Sequence, residues 1–549
     1  MAALIESTIQ PAQVGVARLA RHAVQYGATA RVIAERDGEI RSQTLSALAG
    51  RALKLGEAFK RLGFAPGSAI ATFCPSSPEH VEAYLGIPAH GMILHALNVR
   101  MHDDHLADLV REIGDTAIIV ERDYADRFAE LAPKLAGSSI RLVTVTGEGP
   151  IAPFAGLPVE TVRYEALLDP VETVDTQRLV DPDEFSAAAI CHTGGTTGRP
   201  KTVVYSHRAV WFQALNLCTA NSLGLTRKDT ALLAVHLFHV NGWGLPYASA
   251  LASASIVLPG ASLRAPDLNR LIDACGVTIA AGVPTIWTDL LALRQREGNP
   301  PFRCLKRIST GGATVPQALI EDLGRRGVEI IQAWGMTETA SMSVIGHISV
   351  ADSGLNAEGA RPIGYISPGL EIRTVAEDGK PLPFGANEVG EVQIRGVCVT
   401  RRYFGDDSHN SFDGDWLKTG DIGKIDAKGQ LILTDRLKDA IKSGGEWIAT
   451  PALEDALRAL PDVADAAVIG HPDPRWQERP LAVVVLSEGG RLDLPAVREA
   501  LAARAPKWWF PDNWAIVETL PRTNLGKPDK NRIRQLVAAN QIVVFKATT

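Results

Sequence analysis

The feature that most constrains this chain is an alternation repeated along its first half. Short β-branched apolar runs, AIATF at 69–73, TAIIV at 116–120, RLVTV at 141–145, TALLAV at 230–235, ASIVL at 254–258 and VTIAAGV at 277–283, are separated by segments with helical spacing. TLSALAGRALKLGEAFKRL at 44–62 spaces its apolar residues along one helix face and stops before Gly63, and EHVEAYLGIPAHG follows the first run as a second helix. Apolar runs of this kind belong in a parallel sheet with helices on both faces. The expected fold is α/β, with a large N-terminal domain of doubly wound sheets. After about Gly359, the closer strands and turns of LEIRTVAEDGKPLP and GEVQIRG predict an antiparallel β subdomain. Residues 437–549 have their own apolar segments and the length of a small α+β domain. We place the boundary between 1–436 and 437–549.

The charge pattern narrows the partners. With a net charge of −6, the chain has no global positive field to hold nucleic acid. Its most apolar stretch, LPYASALASASIVL at 245–258, is shorter than the roughly 20 residues of a membrane helix. It reads as buried core, and no membrane span is expected. The N-terminal residues lack a basic segment followed by an apolar one, so export is not expected. Cys74, Cys191, Cys218, Cys275, Cys304 and Cys398 show no CxxC spacing, which argues against a zinc site or disulfide framework and fits the cytoplasm.

One loop has the composition of a phosphate cradle. Ile190 ends an apolar run and leads into Cys191-His192-Thr193-Gly194-Gly195-Thr196-Thr197-Gly198-Arg199-Pro200-Lys201. A strand delivering this loop would present backbone N–H groups, threonine hydroxyls and a lysine to one small volume. It is not a Walker A loop, because Arg199 and Pro200 separate Gly198 from Lys201.

With this loop, the chain resembles the adenylate-forming superfamily of acyl-CoA synthetases, non-ribosomal adenylation domains and firefly-type luciferases. The resemblance extends over nearly the whole chain. ILHALNVRM at 93–101, HLFHVNGWGLPY at 236–247, AWGMTET at 333–339, KTGD at 418–421, DRLKDAIKSGGEW at 435–447 and PRTNLGK at 521–527 occur in the family's order. Two positions depart from the family pattern: Gly194 stands where Ser or Thr is usual, and Thr202 where Gly commonly follows the lysine.

The resemblance implies ATP, Mg²⁺ and coenzyme A, and it assigns roles to residues. Thr193, Gly195, Thr196, Thr197, Gly198 and Lys201 would hold the phosphates, with Glu338 and Thr193 on Mg²⁺ and Thr337 at the α-phosphate. Trp334, Gly335 and the Gly311-Gly312-Ala313 turn would border the adenine; Asp421 would take the ribose hydroxyls and Arg436 the ribose or phosphate. His239 would stand beside the reacting carboxylate, with Trp243 as a gate. Lys527 would be the catalytic lysine of a mobile C-terminal domain that turns at Lys438, with Gly444 and Gly445 lining the pantetheine channel. Positive charge is needed where a carboxylate meets a triphosphate, and Lys527 would supply it. Lys530 nearby is expected to be an ordinary solvated charge.

The implied activity is ligation of a carboxylic acid to coenzyme A through an acyl-adenylate. HLFHVNGWGLPY most resembles the medium-to-long-chain fatty acid branch, whose relatives also take aryl and short sulfur-containing acids. A non-catalytic acyl or nucleotide sensor of the same fold is the alternative from another class, and intact Lys201, Glu338, Asp421 and Lys527 argue against it. The small-molecule acid, ATP and coenzyme A are the expected partners, and a homodimer is compatible with the resemblance.

Overall fold

The structure is a computed structural model describing residues 9–36, 38–148, 151–193, 199–349, 361–406, 410–444, 446–502, 505–522 and 528–546. Two large, mainly parallel sheets dominate it. The first has seven strands in the order Glu160–Arg163, Leu142–Val145, Ala117–Val120, Ala69–Phe73, Ile93–Ala96, Ala187–His192 and Thr202–Ser206. Only its last pair is antiparallel. The second has nine strands, with a parallel centre running from Glu329–Trp334 through Arg307–Gly311, Ile279–Gly282, Thr230–Ala234 and Ser255–Leu258 to Arg31–Arg36. Its edges are antiparallel.

The apolar runs supply buried strands: all five residues of Ala69–Phe73 and all four of Ala117–Val120 are buried. Helices cover both faces, as the parallel arrangement requires. Leu45–Arg61 starts where the Thr44 hydroxyl accepts from Ala47 N at 3.0 Å, and Pro78–Ala89 starts at a corresponding Ser77 cap. These two helices meet at backbone contact, where a Cβ on Gly86 would lie 1.9 Å from Ala52 O. Glycine is needed there for close approach.

The predicted β subdomain is a five-stranded antiparallel sheet of Leu370–Val375, Gly390–Gly396, Phe412–Asp413, Trp416–Ile425 and Leu431–Arg436. The small C-terminal unit is a six-stranded sheet centred on Gln477–Leu486, with Thr450–Arg458, Leu494–Ala502 and Lys530–Ala538 as helices. All six cysteines are free, and among the described residues no helix is long and apolar enough to cross a membrane.

Lys530 corrects a sequence expectation. Its ammonium is largely buried, 2.7 Å from Glu454 Oε1, and donates to Thr450 Oγ1. Thr450 donates through its N–H, at 3.0 Å, and its hydroxyl to Asp435. The Glu454 and Asp435 charges outweigh burial and raise the Lys530 pKa. These partners come from the helix Thr450–Arg458 and the strand Leu431–Arg436, which are remote from Lys530 in sequence.

Candidate active site

The candidate site lies where the strand ends of the two parallel sheets meet the β subdomain. Thr193 leaves the strand Ala187–His192 and Lys201 precedes Thr202–Ser206, so the phosphate-loop candidate joins adjacent antiparallel strands. Thr193 N donates to Lys201 O at 2.9 Å, and Lys201 N donates to Thr193 Oγ1 at 3.0 Å. Gly195, Thr196, Thr197 and Gly198 lie outside the described residues, as do Gly445 and Lys527.

Three side chains converge beside this loop. Lys201 Nζ sits over the Tyr403 ring, 4.2 Å from its centre, and the Tyr403 hydroxyl donates to Glu338 Oε1 at 2.6 Å. Lys201 also reaches Ser411 Oγ at 3.4 Å. Burial, reinforced by the Glu338 charge, raises the Tyr403 pKa and keeps the phenol protonated as a donor. Glu338 and Thr337 are buried in the short turn Thr337–Thr339, and Tyr205 Oη donates to Thr337 O at 2.6 Å. Gly335 lets this turn fold back: a Cβ there would lie 1.4 Å from Ser341 O. The buried carboxylate and the Thr193 hydroxyl are oxygen donors of the type that suits Mg²⁺, which keeps waters and takes one or two carboxylates with phosphate oxygens.

A second group lies at the cross-strand pair Asp421–Arg436. Asp421 Oδ2 accepts from Trp334 Nε1 at 2.8 Å, and Asp421 Oδ1 pairs with Arg436 Nε at 2.7 Å. The aspartate is buried while the arginine is half-exposed. Gly311 is buried against the next strand, where a Cβ would lie 2.3 Å from Ala333 O; Gly312 and Ala313 emerge into solvent.

The third group is unusual in its backbone. Val240, Asn241, Gly242, Trp243 and Gly244 all have positive φ, from 38° to 76°. A left-handed β-branched valine is strained. The Trp243 ring is nevertheless buried, and its carbonyl accepts from Ser341 Oγ at 3.5 Å. His239 stands half-buried at the head of this turn, its carbonyl accepting from Gly242 N at 3.0 Å. Burial holds nearby His236 down at about 3, and so neutral.

Lys438 lies exposed in the turn after Leu431–Arg436. Gly444 sits in the left-handed region at φ 61°, with Trp476 so close that a Cβ would lie 2.8 Å from its ring. It borders a cavity of about 420 Å³ with Ser443, Glu446, Trp476, Arg479, Trp508 and Asp512. The structure thus joins Lys201 to Glu338 and Trp334 to Asp421 and Arg436. Tyr403, Tyr205 and Ser411 are additions that motif spacing did not reveal. Tyr403 sits in RRYFG, whose only sequence signal is an aromatic residue between basic and glycine positions.

Residues 19–404 match the family described as AMP-binding enzyme, and residues 452–527 match its C-terminal domain. The chain belongs to the AMP-binding enzyme family. It is therefore an ATP-dependent ligase of the adenylate-forming, acyl-CoA synthetase class. This AMP-binding enzyme is 34% identical to a medium-chain-fatty-acid–CoA ligase of Ectopseudomonas oleovorans over 95% of this chain and 96% of the relative. It is also 34% identical to a 3-methylmercaptopropionyl-CoA ligase of Ruegeria pomeroyi, over 95% and 96% respectively. The anthranilate CoA ligase AuaEII, solved with anthranoyl-AMP, shares the fold of this AMP-binding enzyme: TM-score 0.82, 24% identity, 98% of this chain and 100% of that one covered.

Proposed function

We propose that this AMP-binding enzyme joins a medium- or long-chain fatty acid to coenzyme A in two steps. The acid's carboxylate oxygen attacks the α-phosphorus of ATP, and pyrophosphate leaves. The thiol sulfur of coenzyme A then attacks the acyl carbonyl, its proton passes to solvent, and AMP leaves. The observation carrying this reading is the meeting of Lys201, Tyr403 and Glu338 at one point beside the phosphate loop.

In this reading residues 1–436 bind ATP and acid, and 437–549 form the mobile domain. Lys201 and Thr193, with Gly195, Thr196, Thr197 and Gly198, hold the phosphates. Trp334, Gly335, Gly311, Gly312 and Ala313 flank the adenine, Asp421 and Arg436 orient the ribose, and Thr337 approaches the α-phosphate. Glu338 and Thr193 would hold Mg²⁺, whose contribution is to neutralise phosphate charge. Tyr403 keeps the Glu338 carboxylate aimed through its 2.6 Å hydrogen bond. His239 and Trp243 line the acid pocket. Lys527 neutralises charge in the first step, and a turn about Lys438 then brings the channel of Gly444 and Gly445 to the carbonyl. The cavity beside Gly444 supports this use of the C-terminal unit.

An aryl or short sulfur-containing acid is the second reading. It is favoured by the 34% identity to the 3-methylmercaptopropionyl-CoA ligase, equal to that to the medium-chain-fatty-acid–CoA ligase. Acid-dependent exchange of labelled pyrophosphate into ATP, run across alkyl, aryl and thioether acids and followed by coenzyme A, decides between them. Fatty acids should give the highest exchange, followed by thioester formation. Preference for a thioether or aryl acid would replace the fatty acid reading, and no exchange with any acid would favour a sensor.

A further inference from the structure

Next to Thr193 and Lys201 runs a buried chain of four polar side chains that the reaction above does not use. Thr202 Oγ1 lies 3.1 Å from His192 Nδ1, His192 Nε2 lies 2.6 Å from His95 Nε2, and His95 Nδ1 lies 2.8 Å from Asp115 Oδ2. His95 and Asp115 are fully inaccessible, and Thr202 and His192 nearly so. Thr202 is also one of the two positions where the loop departs from its family pattern.

With Asp115 ionised and His95 neutral, the partners set the direction of each hydrogen bond. The Asp115 carboxylate accepts, so His95 carries its proton on Nδ1. Its bare Nε2 then accepts from His192 Nε2–H. That leaves His192 Nδ1 to accept from the Thr202 hydroxyl. Two facing ring nitrogens at 2.6 Å need one proton between them, and this arrangement supplies it. The chain crosses the sheet from the connection before Ala117–Val120, through Ile93–Ala96 and Ala187–His192, to Thr202–Ser206.

Its end lies at the mouth of the loop. His192 and Thr202 are opposed in the antiparallel ladder, and the next residues outward, Thr193 and Lys201, make the two bonds that close the mouth. We propose that Thr202, His192, His95 and Asp115 are positioning residues that fix the mouth of the phosphate loop, and with it Lys201, for the triphosphate of ATP. This rests on the phosphate-binding role proposed for the loop. Removing the Thr202 hydroxyl leaves His192 Nδ1 buried without its donor, and the ladder can then satisfy it only by shifting.

The test compares ATP with AMP, because AMP lacks the β- and γ-phosphates the loop would hold. In the full chain, Thr202→Val should weaken calorimetrically measured MgATP binding by about tenfold, leave AMP binding within about twofold, and Thr202→Ser should restore ATP affinity. His95→Gln, breaking the chain at its middle, should give the same ATP-selective loss, with Lys201→Ala as the control for the loop itself. Normal ATP affinity in Thr202→Val and His95→Gln beside a weakened Lys201→Ala overturns the positioning role alone. Equal loss of ATP and AMP, or no rescue by serine, overturns it in favour of general packing. Normal ATP affinity in Lys201→Ala as well removes the phosphate-binding reading and the positioning role with it.

Discussion

The Tyr403 hydroxyl donates to Glu338 Oε1 at 2.6 Å, while the face of the same ring carries the Lys201 ammonium. One aromatic side chain thereby contacts both Lys201 and the buried Glu338 carboxylate. Tyr403→Phe keeps the ring and removes the donor. Hydrogen bonds to charged groups contribute about 1.5–3 kcal/mol, so pyrophosphate exchange should fall roughly tenfold or more, with a raised Mg²⁺ requirement. Titrating Mg²⁺ in the exchange assay checks this; an unchanged profile would remove Tyr403 from the site.

Trp334 and Arg436 occupy both oxygens of Asp421. If that carboxylate receives the ribose hydroxyls, its orientation depends on Trp334 Nε1. Trp334→Phe should therefore weaken ATP and AMP alike, by about 1–2 kcal/mol or roughly tenfold, with little change in acid preference. Equilibrium binding of both nucleotides provides the comparison. A loss confined to ATP would move Trp334 from the ribose end to the phosphates.

The Trp243 ring is buried although its backbone is left-handed. A gate residue in that setting controls the acid, whereas a packing residue controls stability. Trp243→Ala should shift acid preference or KM at least severalfold while leaving ATP affinity nearly unchanged. Collapse of ATP binding with unaltered acid selectivity would identify ordinary core packing.

Burial pushes the Asp435 carboxyl up to about 6, with Lys530 opposing the rise. The folded state then holds the proton more tightly than the unfolded chain, whose aspartate titrates near about 3.9. Its contribution is full below about pH 4 and is lost as pH rises through about 6, because unfolding releases that proton. Asp435→Asn removes this titration while keeping an acceptor for Thr450. Thermal midpoints measured from about pH 4 to 8 should decline less steeply on the alkaline side in the variant. An identical slope would mean that Asp435 does not titrate in this window.

Much of the architecture was legible because strand and helix periods are local. The runs at 69–73, 116–120 and 141–145 became strands of one parallel sheet, as the α/β alternation implied, and the texture after Gly359 became the antiparallel sheet. The pair Arg31–Arg36 and Glu39–Thr44 escaped that reading. The partner of Arg31–Arg36, Ser255–Leu258, is far along the chain, and Glu39–Thr44 has four exposed residues and none buried.

By itself, the sequence determined the α/β alternation, the order of the motifs and the chemical groups available to the site, since backbone periodicity and side-chain identity are local properties. Tertiary structure decided which groups meet. Tyr403 bridges Lys201 and Glu338, His95 faces His192 across 97 residues, and Lys530 leaves solvent for Glu454. Even the backbone of Val240 belongs to this second class, because its left-handed φ opposes the local preference of a β-branched residue. Neither spacing nor composition carries such facts: each depends on desolvation and geometry created when remote segments pack together.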